Sequence, residues 1–218
     1  MQQNNSGSLF NIWKESLSNR MFRISFLTTL VFLVIILISL SNYLVYNDTR
    51  TGAVLNDPFL KLFHAVNLTW LIFGMIYSGL FLGVFFLVKY PNYLLLTLQA
   101  YSIMAVFRMI VMYSIPLDPP AGMISLNDPF VQLFGTGIIL KKDLFFSGHT
   151  STMFLLFLTS MNKKMKLGFL IGTIIVGLSV LLQHTHYSVD VLAAPFFAYT
   201  SYRIAKIFNQ KIGFIPLK

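Results

Sequence analysis

The chain is predicted to be an all-α membrane protein: a bundle of six transmembrane helices, with N- and C-termini cytoplasmic and an active site at the exoplasmic or periplasmic face. Three observations carry this. The 218 residues are 56% hydrophobic and only 11% charged, with a mean hydropathy of +0.72, where soluble domains have about a quarter of their residues charged. Apolar runs near the ~20 residues needed to cross a bilayer recur along the chain. Basic residues gather at alternate junctions between those runs, as they do in the loops of multi-pass proteins.

Composition also excludes. A formal charge of +9 would suit nucleic acid if lysines and arginines lined one face, but they are scattered at the ends of apolar runs. No nucleic-acid partner is expected, and the lipid bilayer is. The absence of cysteine removes disulfides, thiolate metal sites and a cysteine nucleophile together. One domain is expected: a cytoplasmic N-terminal segment over 1–23, a membrane domain over 24–208, and a basic cytoplasmic tail over 209–218.

The elements follow in order. Lys14, Arg20 and Arg23 precede an apolar run over about 24–39, read as a retained first helix because no small-residue cleavage site follows it. Residues 41–67 read as a polar loop, since Asn47-Asp48 and Asn56-Asp57-Pro58 are turn chemistry. A second helix is expected over 68–88, and Lys89-Tyr90-Pro91-Asn92 turns tightly into a third over 93–115, an antiparallel neighbour. Residues 116–143 form a longer loop. A fourth helix starts near Phe146 and ends before Asn162, a fifth spans 167–183, and a sixth spans 189–208.

Charge sets the orientation. With the N-terminus cytoplasmic, Lys14, Arg20, Arg23, Lys89, Lys163, Lys164, Lys166, Arg203, Lys206, Lys211 and Lys218 lie inside, against Arg50, Lys61, Lys141 and Lys142 outside, which obeys the positive-inside rule. Two motif segments, 141–151 and 184–190, then share the outer face. So does an internal echo, Leu55-Asn56-Asp57-Pro58-Phe59 and Leu126-Asn127-Asp128-Pro129-Phe130. It reads as two Asx turns, each leading into a short amphipathic segment on the membrane surface, or as head-group contacts through Asp57 or Asp128.

Chemistry concentrates in the two motif segments. Ser147-Gly148-His149 opens the fourth helix, where a capping serine, free N–H groups and the helix dipole suit an anion such as phosphate. Gly148 permits close backbone approach, and His149 projects from the first turn. His186 and Asp190 are four apart and share a helix face. The carboxylate can hold one ring nitrogen and leave the other's lone pair outward. His184, two residues away, is expected to point elsewhere in a structural role.

Arg108 lies about two turns below the outer end of the third helix, where a permanent charge needs an anion to face or must snorkel to the surface. Lys141 and Lys142 are expected to be solvated. Asp143 is expected to partner them or to hold the loop.

These residues resemble the sphingomyelin synthase branch of the type 2 phosphatidic acid phosphatase superfamily. Asp143-Leu144-Phe145-Phe146-Ser147-Gly148-His149-Thr150 is similar to that branch's G-D-x-x-x-S-G-H-T, with Lys142 in place of its glycine, and His186-Tyr187-Ser188-Val189-Asp190 to its H-Y-[ST]-[VI]-D. Phe107-Arg108 through Ile115-Pro116 looks like its arginine-bearing third helix.

The resemblance implies that His186 is the nucleophile on phosphorus, that Asp190 orients it, and that His149 is the acid and base. Arg108, Ser147 and Gly148 would bind the substrate phosphate, with Asp143, Tyr187 and Asp128 in supporting positions. No metal and no cofactor is implied, because a phosphohistidine splits the displacement into two steps.

Two departures matter. The superfamily's lysine seven residues before the arginine is Tyr101, and the arginine six residues before the last motif's histidine is Val180 minus its charge, in Ser179-Val180. Fewer fixed cations favour a phosphodiester over a dianionic monoester. The expected activity is transfer of a phospho-head-group from a membrane phospholipid to a lipid alcohol of the ceramide or diacylglycerol type.

Three alternatives remain open on the residues alone. They are a lipid phosphate phosphatase on the same site, a non-enzymatic lipid transporter, and a metalloenzyme using His149, His184, His186 and Asp190. Transporters place polar groups at the bilayer midplane, and histidines two apart on a helix end are poor joint ligands. The short chain is expected to be a multi-pass protein of a bacterial cytoplasmic (inner) membrane with its site facing outward.

Overall fold

The computed structural model describes residues 8–126 and 140–214. Within them lie seven α-helices: α1 (Leu9–Ser18), α2 (Arg20–Thr49), α3 (Thr69–Leu87), α4 (Pro91–Ser114), α5 (Gly148–Thr159), α6 (Lys163–Leu182) and α7 (Ser188–Lys211), with a 3-10 turn at Leu60–Leu62. The caps explain several boundaries. Asn19 accepts from the backbone N–H of Met21 and Phe22 to start α2, Pro91 occupies the first position of α4, and Asn162 accepts from Lys164 and Met165 to start α6.

Four helices, α2, α3, α4 and α6, are long and apolar enough to cross a membrane. Their outward side chains include Val31, Ile38, Trp70 and Phe81, all exposed, an apolar surface that water would not tolerate and lipid does. Several such helices make this a multi-pass membrane protein. Six spans were expected; among the described residues four helices meet that length and hydropathy. Helix α5 has 12 residues, about 18 Å at 1.5 Å per residue, well short of the ~30 Å hydrocarbon core. Helix α7 has 24 residues, but Asp190, Arg203, Lys206, Asn209, Gln210 and Lys211 lower its hydropathy.

Helix α2 also differs from expectation. A helix over 24–39 and a turn at Asn47-Asp48 were expected, yet α2 runs from Arg20 to Thr49. The polar pair ends the helix against a loop rather than in lipid. Asn47 Nδ2 donates to the Lys142 carbonyl at 2.8 Å, and Asp48 Oδ1 accepts from the N–H of Lys141 at 2.8 Å and of Lys142 at 3.0 Å. Part of the expected polar N-terminal segment is likewise helical. In α1, Trp13 donates to the Val88 carbonyl beyond the end of α3 at 2.9 Å.

Helix α4 packs against α2 and α7, while α5 packs against α6 and α7 with α3 alongside. The inner row of α7 is Asp190, Ala194, Ala198, Ser201, Ala205 and Asn209, a 3–4 spacing of small residues. This row lets α7 close onto Leu96, Ala100 and Met104 of α4 and Leu155 of α5. Without a hydrophobic drive inside lipid, such close packing and interhelical hydrogen bonds hold helices together. One thread of these bonds runs from Asn209 to Gln99 and from Gln99 to Thr29, joining α7, α4 and α2.

At the end of the bundle that carries both motifs, the loops form a small core of Leu60, Leu117, Leu144, Leu181 and Tyr187. A parallel bridge pairs Ala53 with Leu117, the Ala53 N–H donating to Pro116 at 2.9 Å and the Asp118 N–H to Ala53 at 3.0 Å. Residue 52 must be glycine for this pairing, since a Cβ there would overlap the backbone of Leu117.

Candidate active site

The loop before α5 is pinned by its own apolar residues. Leu144 and Phe146 are buried at 2% and 0% exposure, and this holds Asp143 against α4. Arg108 does not snorkel. It is buried, at 5% exposure, and forms an ion pair with Asp143 through Nη2 and Oδ1.

The guanidinium carbon lies 5.8 Å from the centroid of the Phe146 ring, and that ring stacks on Phe197 with centroids 4.3 Å apart. The aromatic pair is a rigid floor under the cation. Gly148 completes the seat, because a Cβ at that position would overlap Arg108 Nη1. Glycine was expected to let backbone approach a ligand; what approaches it in the structure is the arginine.

Ser147 caps α5 as expected. It is fully buried, its Oγ lies 3.0 Å from Thr150 Oγ1, and it accepts from the Thr150 N–H at 3.4 Å. Its hydroxyl is therefore spent within the helix turn. The Ser147 N–H donates to the Asp190 carbonyl at 3.1 Å, a direct tie between the two motif segments. His149, in the first turn of α5, is half-buried and meets Phe73 edge-on at 5.8 Å.

His186 and Asp190 come together at the start of α7. His186 Nδ1 lies 3.2 Å from Asp190 Oδ2, and the same oxygen accepts from the Tyr187 N–H at 3.1 Å. Asp190 is fully buried and His186 is 3% exposed. A carboxylate that accepts from both Nδ1–H and a backbone N–H fixes the tautomer and the ring, and leaves the Nε2 lone pair for another partner. Asp190 thus works as a capping residue and as the imidazole's anchor at once.

Asp143 reports how the parts converge. Burial pushes its carboxyl up, but the fields of Arg108, His186 and His149 outweigh this and hold it below the usual value of 3.8. Both imidazoles and the guanidinium therefore lie close enough to one carboxylate to act on it. The Tyr101 phenol of α4 is within electrostatic reach of both Arg108 and Asp143. Two imidazoles, one of them locked by a carboxylate, beside a buried guanidinium can pass a proton and stabilise charge on phosphate oxygens.

Other expected residues fall elsewhere. Asp143 pairs with Arg108 rather than with the neighbouring lysines. Lys142 is not simply solvated: its Nζ pairs with Asp118 at 2.7 Å and also reaches the Arg50 carbonyl. Lys141 is exposed. The Tyr187 hydroxyl donates to the Asp118 carbonyl at 2.9 Å and accepts from the Leu55 N–H at 3.2 Å, so it ties loops together rather than meeting the site.

His184 has its Nδ1 3.1 Å from the Ala121 carbonyl. Asp57 makes the expected Asx turn, accepting from Phe59 N–H at 3.0 Å. It also accepts from the Ser188 N–H at 2.6 Å and lies 3.2 Å from the Ser188 hydroxyl, capping α7 from a distant loop. Asp128 lies outside the described residues.

Several contributors had no sequence signal. Phe146 looked like ordinary apolar filling, and Asn47, Asp48, Arg50 and Asp118 looked like loop polarity. Only the paired aromatics within Asp143-Leu144-Phe145-Phe146 could have hinted at a platform.

No curated protein and no solved structure matches the chain. Residues 142–207 match the family described as PAP2 superfamily C-terminal, and this stretch holds Asp143, Ser147, His149, His186 and Asp190. The match supports the type 2 phosphatidic acid phosphatase superfamily, whose members are generally phosphatases and phosphotransferases, and does not single out its sphingomyelin synthase-like branch.

Proposed function

We propose that this protein is an integral-membrane lipid phosphotransferase that moves a phospho-head-group between a phospholipid and a lipid alcohol through a phosphohistidine on His186. The observation that carries the reading is the buried His186 Nδ1 to Asp190 Oδ2 contact at 3.2 Å, in a cluster that also holds Arg108 and His149. Nε2 of His186 attacks phosphorus, and the bond from phosphorus to the departing lipid oxygen breaks as that oxygen takes a proton from His149. The acceptor alcohol then gives its proton to His149 and attacks the same phosphorus, and the bond to Nε2 breaks. Arg108 faces the phosphate oxygens throughout, and Asp190 stabilises the charge that develops on the ring.

Charge supports a diester substrate. Arg108 is already balanced by Asp143, Lys142 is spent on Asp118, and Tyr101 supplies a neutral phenol. A site with so little uncompensated positive charge suits a phosphate with one negative charge. The protein belongs, in this proposal, to a bacterial cytoplasmic membrane with both termini inside and the site facing outward, as the distribution of lysine and arginine favours.

The family match favours a second reading, lipid phosphatase activity, in which water replaces the lipid alcohol in the second step. Purified protein given head-group-labelled phospholipid, with and without ceramide or diacylglycerol, tests the choice. Labelled new lipid that appears only with acceptor supports the transferase. Released head-group phosphate regardless of acceptor, or hydrolysis of monoesters alone, supports the phosphatase and defeats the diester preference.

A further inference from the structure

Helix α1 takes no part in the candidate active site. It lies at the opposite end of the bundle from the two motifs, against the start of α2. One extended residue, Asn19, separates it from α2, which starts at Arg20 and is long and apolar enough to cross a membrane. The 10 residues of α1 reach about 15 Å at 1.5 Å per residue, half of the ~30 Å hydrocarbon core. A helix that cannot cross, tied by one residue to the head of one that does, lies at the bilayer boundary.

The side chains of α1 sort into three groups. Ile12, Trp13, Ser16 and Leu17 are partly buried, and Trp13 meets Phe26 of α2 edge-on at 5.3 Å while donating to the Val88 carbonyl at 2.9 Å. Asn11, Glu15 and Ser18 are exposed on the other side. Leu9 and Phe10 are apolar yet open, Phe10 at 72% exposure, like Met21, Ile24 and Leu27 in the first turns of α2. Phe10 and Lys14 are four apart and share one edge of the helix, so the ring can enter the acyl boundary while the long stem of Lys14 lifts its ammonium to the head groups. Arg23 Nη1 donates to the Leu17 carbonyl at 3.3 Å, which closes the last turn of α1 and keeps a guanidinium beside it.

Charge at this end is one-sided. Glu15 is its only carboxylate side chain among the described residues, whereas Asp48, Asp57, Asp118, Asp143 and Asp190 all lie at the motif-bearing end. Lys14, Arg20 and Arg23 are exposed around α1, and Lys89 follows directly on the residue that Trp13 holds. Cations so placed are attracted to an anionic leaflet and not to a zwitterionic one. We propose that α1 is an interfacial helix that gathers anionic phospholipid: Leu9 and Phe10 enter the acyl boundary, and Lys14, Arg20 and Arg23 meet the phosphates of lipids carrying a net negative charge. This surface stands apart from the proposed transfer chemistry, and its test reads lipid contact rather than turnover.

The full chain holds two tryptophans, Trp13 and Trp70, and Trp70 lies at the start of α3, on the motif-bearing end. Trp70→Phe protein in phosphatidylcholine vesicles, with an equal small fraction of dibrominated phosphatidylcholine or dibrominated phosphatidylglycerol, reports lipid contact at Trp13 through bromine quenching. The brominated anionic lipid is expected to quench about twofold more strongly than the zwitterionic one. The excess should fade in about 1 M salt, where the screening length falls to about 3 Å. Lys14→Gln, Arg20→Gln and Arg23→Gln together are expected to remove it, and Phe10→Ser to weaken quenching by both lipids. Trp13→Phe protein, with Trp70 as the reporter, is expected to show no preference. The proposal is overturned if both lipids quench Trp13 equally, if the excess survives loss of the three cations, or if Trp70 shows the same excess. It is overturned as well if neither lipid reaches Trp13, the result that a protein partner seated on Leu9 and Phe10 would give.

Discussion

Gly148 and Arg108 occupy adjoining space so closely that even one added methyl group on the glycine would overlap the guanidinium. The cation is held from three sides, by Asp143, by the Phe146 ring and by this bare Cα. Gly148→Ala is therefore expected to expel Arg108 from its seat while leaving α5 folded. Loss of one charge-stabilising donor costs on the order of 10²–10³ in kcat, and lipid-turnover assays beside thermal unfolding curves check whether activity falls that far with Tm nearly unchanged.

The double duty of Asp190 separates two effects. Asp190→Asn is expected to lower turnover by roughly 10³–10⁴, as loss of the imidazole's orienting carboxylate does in other triads. It is also expected to cost about 1 kcal/mol through the weakened cap on the Tyr187 N–H. His186→Ala removes the proposed nucleophile, so acid-labile phosphoenzyme trapped by rapid quench should vanish in that variant and persist in the wild type.

In the proposed site, Asp143 sets how much positive charge Arg108 offers to a substrate. Asp143→Asn leaves the guanidinium uncompensated, so turnover of a dianionic phosphomonoester is expected to rise about tenfold relative to a phosphodiester, the worth of one charge-assisted contact of ~1.4 kcal/mol. The ratio of kcat/KM values on matched lipids measures this. An unchanged or lower ratio contradicts the argument from charge.

The loop that carries Asp143 is anchored by the end of α2. Removing Asn47 Nδ2 leaves the Lys142 carbonyl short of a donor, at a cost of about 1–3 kcal/mol. Asn47→Ala is expected to speed hydrogen exchange across residues 140–147 without altering exchange in α3 or α6.

Acid should loosen the loops at the motif-bearing end of the bundle late. The Lys142 ammonium holds Asp118 below the usual carboxylate value. Burial pushes Asp57 up, but the N–H and hydroxyl of Ser188 more than reverse this and hold it low. A carboxyl depressed on folding contributes stability that is fully present above its unfolded value, near 3.8, and is lost as pH falls through the folded one. Protection of residues 52–58 and 116–120 from hydrogen exchange is expected to hold down to about pH 5 and to fail below about pH 3. Asp57→Asn should remove part of that protection already at neutral pH.

The sequence by itself determined the class of molecule and where its chemistry gathers. Long apolar runs have one stable answer in lipid, the helix, since every backbone group must be satisfied within its own segment. Asp190 falls in the first turn of α7 and His186 just before its cap, so the chain's turn into the helix, not a shared helix face, makes their contact, and Ser147 caps the helix that follows it.

What only the tertiary structure decided depends on residues far apart in the chain. The continuation of α2 through Asn47-Asp48 rests on partners more than 90 residues away, which no local propensity encodes. The same holds for Arg108, whose anion turned out to be Asp143 and whose floor is Phe146, and for Asp57, a loop carboxylate that caps α7. Turn-forming residues read as loops until the fold supplies the groups that satisfy them, and a buried cation has no visible partner until helices pack.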